Sequence, residues 1–320
     1  MAYPTPAVTV TTADKFIPEI WSDEIVAAYK KNLVLANIVM KMNFKGKKGD
    51  TVHIPAPTRG NASAKAASTA VTLIADTETE VQVLINKHYE YSRFIEDIVE
   101  AQALNSLRQF YTADAGYALA KQVDTDLIQL GRAFNGATVG TNDYATSNTS
   151  TKAFIGGDGT TAYNSTSSNA SALTDAAIRR TIQRLDDNDT PMDGRFFIIP
   201  PSSRNTLMGL SRYTEQAFVG NGNAIRTGEI GQLYGIPVFT SSNADTGAGN
   251  TATDRICLMG HKDAMVLVEQ IGIRSQTQYK QDYLATLFTS DTLYGVAALR
   301  AAATTGAALS SSAFALAVPA

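Results

Sequence analysis

Two periodicities divide the chain. Over residues 77–91, Val81, Val83, Ile85, Lys87, Tyr89 and Tyr91 fall on one side. Glu78, Glu80, Gln82, Asn86, His88 and Glu90 fall on the other, with Leu84 the exception. A shorter alternation precedes it, where Val52 and Ile54 interleave with Thr51 and His53. A period of two with one polar face predicts antiparallel strands wet on one side. A strand as long as 77–91 would extend about 50 Å, against about five or six residues for an ordinary strand. The small-residue run GNASAKAASTA lies between the two stretches. Together they predict a long two-stranded hairpin projecting from the body. Such a hairpin is not stable alone and must lie on another surface.

Helical spacing marks other stretches. Ile17, Ile20, Trp21, Ile25 and Ala28 recur at helical intervals around Pro18, predicting a short amphipathic helix in an N-terminal arm. A helix that short is marginal in isolation, so it docks on its own body or on a neighbouring subunit. From 94 to 130 a second apolar stripe begins with Phe94, Ile98 and Ala101 and continues through Ala115, Leu119, Val123 and Leu127. One long curved helix or two consecutive helices fit it; a single helix would be about 55 Å long.

Residues 136–172 are dominated by Gly, Ser, Thr, Asn and Ala, with only Asp143, Lys152 and Asp158 charged. They read as an insertion running over the surface. Beyond them the pattern turns α/β. Thr174 or Asp175 caps a helix carrying Ile178, Ile182 and Leu185, and Ser202 or Ser203 starts another. Strands are predicted at 196–199, 236–240, 256–259, 265–269, 273–279 and 293–299. The stretch 301–320 carries no charged side chain and is mostly alanine, with Ser310, Ser311 and Ser312. It reads as a disordered or packed extension, not as a membrane span.

Composition narrows the function. The chain has 320 residues, 44% hydrophobic and 18% charged. Ordinary hydrophobicity with fewer charges than the usual roughly 25% predicts a sizeable core and a surface covered in part by something other than water. A net charge of −3 argues against a dedicated nucleic-acid binder. The single Cys257 excludes an intramolecular disulfide and a cysteine-rich zinc site. The opening MAYPTPAVTVTTADKF has neither the basic nor the apolar region of a signal peptide.

No stretch carries recognisable chemistry. His53, His88 and His261 lack metal-ligand spacing, and the first two read as surface imidazoles. The acidic run at Asp186, Asp187, Asp189, Asp193 and Gly194 is interrupted by Pro191, so it reads as a solvated helix end and turn, not a calcium loop. Gly156, Gly157 and Gly159 lack the lysine and helix start of a phosphate loop and read as flexible linker. Lys41, Lys45, Lys47 and Lys48 form a small basic cluster, read as a solvated turn or as a contact to phosphates or an acidic subunit face. There is no nucleophile elbow. The expectation is a protein that is not an enzyme and takes no cofactor.

One ordered set of segments is more specific. Gly231-x-Leu233-x-Gly235-x-Pro237-Val238 stands in GQLYGIPVFTSS, preceded by RFFIIPPSSRNTLMGLSRY and followed by RICLMGHKDAMVLVEQIGIRSQTQ and LFTSDTLYGVAALRAAA. This set, over 193–303, resembles the major capsid proteins of tailed bacteriophages, which have the Hong Kong 97-type shell fold. The earlier order of arm, hairpin and long helix resembles it too. The resemblance implies an α+β chain with an N-terminal arm at 1–43, an extended hairpin loop at 44–92, and a peripheral domain with a long spine helix at 93–135. The insertion follows at 136–172, then a mainly axial α/β domain at 173–270, a return to the peripheral domain at 271–303, and a tail at 304–320. Many relatives begin with a charged helical scaffolding segment, where this chain goes straight into the arm. Lys65 lies in the hairpin tip, but no asparagine partner for a crosslink is identifiable.

The implied function is self-assembly, through pentamers and hexamers, into an icosahedral shell around double-stranded DNA. Implied partners are a separate scaffolding protein, a portal, a decoration protein and packaged DNA held without sequence preference. There is no membrane partner, and the implied location is the virion capsid, assembled in the host cytoplasm. Contacts between subunits are expected at Ile20, Trp21, Ile25, Glu78, Glu80 and Glu90, and weak DNA contact at Lys41, Lys45, Lys47 and Lys48. An encapsulin-type compartment shell is the nearest rival. A receptor- or glycan-binding module using 136–172 is a second, and a hydrolase a remote third. If the arm helix docks as expected, Trp21→Glu will lower the yield of assembled particles on a sedimentation gradient. Wild-type yield would show that Trp21 is not a contact.

Overall fold

Every residue of Arg195–Ile199 is buried, because this strand, β6, is packed on both faces. Phe196 and Ile198 face one core, and Phe197 and Ile199 the other. The computed structural model that shows this describes residues 34–46, 48–56, 62–71, 73, 79–98, 107–132, 153–163, 169–210, 231–244, 254–299 and 312–320. The predicted arm helix with Ile20, Trp21 and Ile25, together with Lys47 and Glu78, lies outside the described residues.

The described strands form three sheets. The first has the order β1 (Met40–Asn43), β10 (Met265–Lys280), β11 (Ala285–Ala298), β4 (Lys87–Glu96). Its β1–β10 pair is parallel and the others are antiparallel. The second has the order β5 (Phe154–Ile155), β12 (Ala313–Val318), β9 (Arg255–His261), β6, β8 (Ile236–Thr240), β7 (Gln232–Leu233). The third pairs β2 (Thr51–Ala56) with β3 (Thr79–Leu84). The helices among the described residues include α1 (Leu35–Ile38), α2 (Leu107–Arg132), α3 (Asp175–Asp187) and α4 (Pro201–Met208). The mixed α+β class expected from the sequence is observed.

Helix α2 joins the two larger sheets. Leu127, Ile128 and Leu130 share one core with Phe196, Ile198 and Leu258 of the six-stranded sheet and with Met265, Leu267 and Tyr294 of the four-stranded one. Gly131 permits the close approach, since a Cβ there would stand 2.5 Å from the Leu258 side chain. Helices α3 and α4 cover the opposite face of the six-stranded sheet through Ala177, Ile178, Leu185 and Leu207. Thr174 caps α3 by accepting from the Ala177 N–H, and its hydroxyl donates to the Gly157 carbonyl at 2.5 Å. The Leu-Tyr-Gly-Ile step between β7 and β8 is a tight two-residue turn. Tyr234 and Gly235 have φ of 52° and 79°, while Leu233 and Ile236 are buried.

Several expectations need correction. The alternation over 77–91 is two strands. Ile85 N–H donates to the Asp50 carbonyl, β3 stays with β2, and β4 crosses to pair with β11 as far as Glu96. Tyr89 and Tyr91 therefore belong to the body, and Phe94 is in a strand, not a helix. The side-chain period does not change across the break, which is why it was invisible. The segments 265–269 and 273–279 are one strand with register shifts around Ile271, so the boundary at 270/271 cuts through β10. Residues 34–43 are part of the body: Leu35 is fully buried and β1 lies beside β10. Helix α4 starts one residue early, with Pro201 in its first turn.

The insertion is only partly an excursion. Phe154 and Ile155 pair with β12, and Ala153 and Tyr163 are buried, with Tyr163 donating to Asp254 at 2.8 Å. Nor is Gly156-Gly157-Asp158-Gly159 a flexible linker. A Cβ at Gly156 would meet the Ser171 carbonyl at 2.6 Å, and Gly159 has φ of 66°. The hydroxyl of Thr161, with the N–H groups of Thr160 and Thr161, holds the Asp158 carboxyl far below the usual range. The acidic turn at 186–194 wraps around buried Arg195, which donates to Asp186 and to the carbonyls of Thr190 and Pro191.

Of the two readings offered for the tail, the packed one holds for its last residues. Ala313–Val318 is a fully buried strand between β5 and β9. Burying a side chain such as Phe314, Leu316 or Val318 stabilises by about 1.5–3 kcal/mol, and a domain's whole stability is about 5–15 kcal/mol. Deleting 313–320 is therefore expected to abolish cooperative thermal unfolding in circular dichroism and leave the protein insoluble.

Candidate assembly surface

The hairpin is rooted in its own subunit. Val83 and Ile85 are buried against Val266 and Val268 of β10, with Met42, Phe44, Val52 and Ile54 packed around them. Gly295 on β11 makes room, since a Cβ there would overlap the Leu84 carbonyl. Gln270 donates to the Gly49 carbonyl at 3.0 Å, and Phe44 N–H to the Glu269 carbonyl at 2.9 Å. Further out the described residues are exposed. A turn at 66–69 is closed by the Thr69 hydroxyl donating to the Ala66 carbonyl, and Lys65, Val71 and Leu73 are exposed. A rooted base with an uncovered apolar end is suited to lie on another chain.

The residues expected to make contacts are not one group. Glu80 is engaged within the hairpin: Gln82 donates to it at 2.6 Å and His53 Nδ1 sits 3.0 Å away. Those two bonds, Gln82 first, lower its pKa. Glu90 is exposed, but it lies on β4 of the body, opposite Asp291 in register, and not on the hairpin. Asp291 is held below the ordinary carboxylate range, chiefly by Arg274, which donates to it at 2.8 and 2.9 Å, and also by His88. Of the basic cluster, Lys45 stands 3.7 Å from Glu269, which offsets its charge. Lys41 on β1 and Lys48 are exposed.

Sequence reasoning missed the acidic pair inside α2. Asp124, fully buried, accepts from the N–H groups of Leu35 and Ala36 at 2.8 and 3.1 Å and from the Asn243 amide at 3.1 Å. It ties the root of the arm to the helix and to the end of β8. Asp126 accepts from Tyr294 at 2.8 Å and from Gln122 at 3.0 Å, and pairs with Lys87 at 3.1 Å. Burial first, then Asp126, push the Tyr294 phenol far above its usual pKa. The available signal was VDTDLIQL, two carboxylates within an apolar helical stripe, together with Lys87 on the apolar side of its strand.

No helix among the described residues is long and apolar enough to cross a membrane, and no group of His, Cys, Asp or Glu among them could hold a metal. The chain belongs to the phage capsid protein family, whose model matches residues 21–306. It is a structural major capsid protein. No curated protein sequence matches it.

Solved phage capsids share its fold. A structure of Mycobacterium phage Che8 superposes with TM-score 0.71 at 22% identity, covering 94% of this chain and 97% of that one. The capsid structure of cyanophage P-SCSP1u gives 0.71 at 19%, covering 95% and 93%. The mature capsid of bacteriophage PhiM1 gives 0.67 at 14%, covering 94% and 91%.

Gly295 tests the rooting of the hairpin. Gly295→Val must push β3 off β11, at a cost of about 1–3 kcal/mol for overpacking. The expected result is a lower melting temperature and faster proteolysis within 44–86, with Gly231→Val, where a Cβ meets nothing within 4 Å, as the neutral comparison.

Proposed function

We propose that this protein forms the closed icosahedral shell of a tailed-phage particle, with copies arranged in pentamers and hexamers around double-stranded DNA. The observation that carries the reading is the family match over 21–306. In this reading α2 is the spine helix and the four-stranded sheet the core of the peripheral domain. The six-stranded sheet, with α3 and α4, is the core of the axial domain. The hairpin rooted at Gly295 lies over an adjacent copy and presents Val71 and Leu73 to it. Ile20, Trp21 and Ile25 of the arm, Glu78 of the hairpin and Glu90 on β4 make further contacts.

A separate scaffolding protein, a portal and a decoration protein are partners of such a shell. Contact with DNA is weak and without sequence preference, through exposed Lys41 and Lys48 with Lys47. A net charge of −3 leaves little attraction for phosphate, and tight binding to the wall would oppose packaging and release. The site carries no chemistry in this role, and the particle assembles in the host cytoplasm. Negative-stain electron microscopy of the protein expressed with its scaffolding partner tests the reading. Uniform closed particles are expected. Dispersed monomers under conditions where the subunit is folded would overturn it.

A further inference from the structure

Helix α3 carries an opposite-charge pair and a like-charge pair, both at i,i+4 spacing. In the first, Arg179 donates to Asp175 at 2.9 Å. The second, Arg180 and Arg184, puts two cations on one face of the helix, a spacing that destabilises it. Arg180 is exposed and donates to the neutral Gln183 at 2.8 Å. Neither Arg180 nor Arg184 forms an ion pair with a described residue.

Arg184 is the more unusual of the two. Its guanidinium stacks on Phe154, 3.5 Å from the ring centroid, with the Phe314 ring at 5.9 Å. Its Nη1 is buried without a hydrogen-bond partner, a deficit that native proteins seldom leave unmet. Burial first, then the charge of Arg180, lower its pKa, while Asp158 acts the other way. The Asp158 carboxylate is already engaged by the Thr160 and Thr161 N–H groups and the Thr161 hydroxyl. Arg184 lies in the last turn of α3, where the helix end favours a cation, yet no carbonyl there accepts from Nη1. The residue is only half-buried, so solvent reaches part of it.

We infer that Arg184 and Arg180 together bind a carboxylate on an acidic segment of another protein. A guanidinium held flat on an aromatic ring offers a carboxylate two parallel N–H groups. An anion there also removes the repulsion between the two arginines. Duplex DNA is the poorer match, because its affinity is built from many phosphate contacts and this patch has two cations. The inference does not depend on the shell reading, since binding is measured on the folded full-length chain whether or not particles form.

Calorimetric titration with a hexaglutamate peptide at low salt tests it. The wild-type chain should bind the peptide. Arg184→Met keeps apolar contact with Phe154 and should weaken binding about tenfold. Arg184→Lys keeps the charge without the fork and should recover only part of the loss. No binding by the wild type, or equal binding by wild type and Arg184→Met, would overturn the inference. So would a site at which inorganic phosphate or a duplex oligonucleotide binds in place of the peptide.

Thermal melting separates binding from a structural role. Arg184→Met should melt at or above the wild-type temperature, because an unpaired buried N–H and a repulsion are both removed. A clear fall in melting temperature would make the stacked guanidinium a structural element of the subunit and overturn the inference.

Discussion

Two carboxylates buried in one helix hold the body together. A charge removed from water must be met by hydrogen bonds or an opposite charge, and losing one partner of such a pair costs about 3–5 kcal/mol. Asp124 and Asp126 stand two positions apart on α2 and so point in different directions. Asp124 is met by backbone N–H groups of the arm root and by Asn243 after β8. Asp126 is met by Lys87 at the start of β4 and Tyr294 on β11. The arm root, both sheets and the start of β4 are thus tied to one helix by these bonds. The apolar contacts of Leu127 and Leu130 supply the bulk of the burial, while the carboxylates fix the register in which it occurs.

From that centre, burial falls away along single strands. In β10, Met265, Val266, Leu267 and Val268 are buried, whereas Ile273 through Tyr279 are exposed. The near half lies over α2 and under the root of the hairpin; the far half has no such cover among the described residues. One continuous strand therefore serves as core at one end and as surface at the other. The same holds for the hairpin, buried at Val83 and Ile85 and uncovered at Val71 and Leu73. A charged fraction of 18% fits this arrangement, in which part of the exposed surface is uncharged.

What was legible in the sequence follows from how each face is solvated. The wet-faced strands were readable: Val81, Val83 and Ile85 do point inward, and Glu80 and Gln82 outward. So were the Thr174 cap, the strand at 236–240 and the family, whose motif is a tight turn at Tyr234 and Gly235 flanked by buried residues. The break after Ile85 was not readable, because two strands in different sheets can carry one unbroken alternation when both have a wet face. The placement of the two glutamates proposed for contact was not readable. Glu80 and Glu90 were placed together on one projecting face by that same alternation, whereas pairing puts one on the hairpin and the other on the body.

The tail shows the limit most sharply. Ala313, Ala315 and Ala317 alternate with Phe314, Leu316 and Val318, which is strand periodicity, but in size instead of polarity. The large side chains fill the core under α3 and α4. Ala315 and Ala317 pack against Ala153, Tyr163 and Ile256, and Ala313 lies so close to β9 that residue 260 must be glycine. A search for polar alternation passes over such a strand because neither face meets water. Its position also determines how the subunit completes itself. β12 pairs with β5 from the insertion and β9 from the middle of the six-stranded sheet, contacts of long sequence separation of the kind that slows folding. The six-stranded sheet stays open between β5 and β9 until residues 313–318 are in place. A partly made subunit therefore lacks a complete six-stranded sheet.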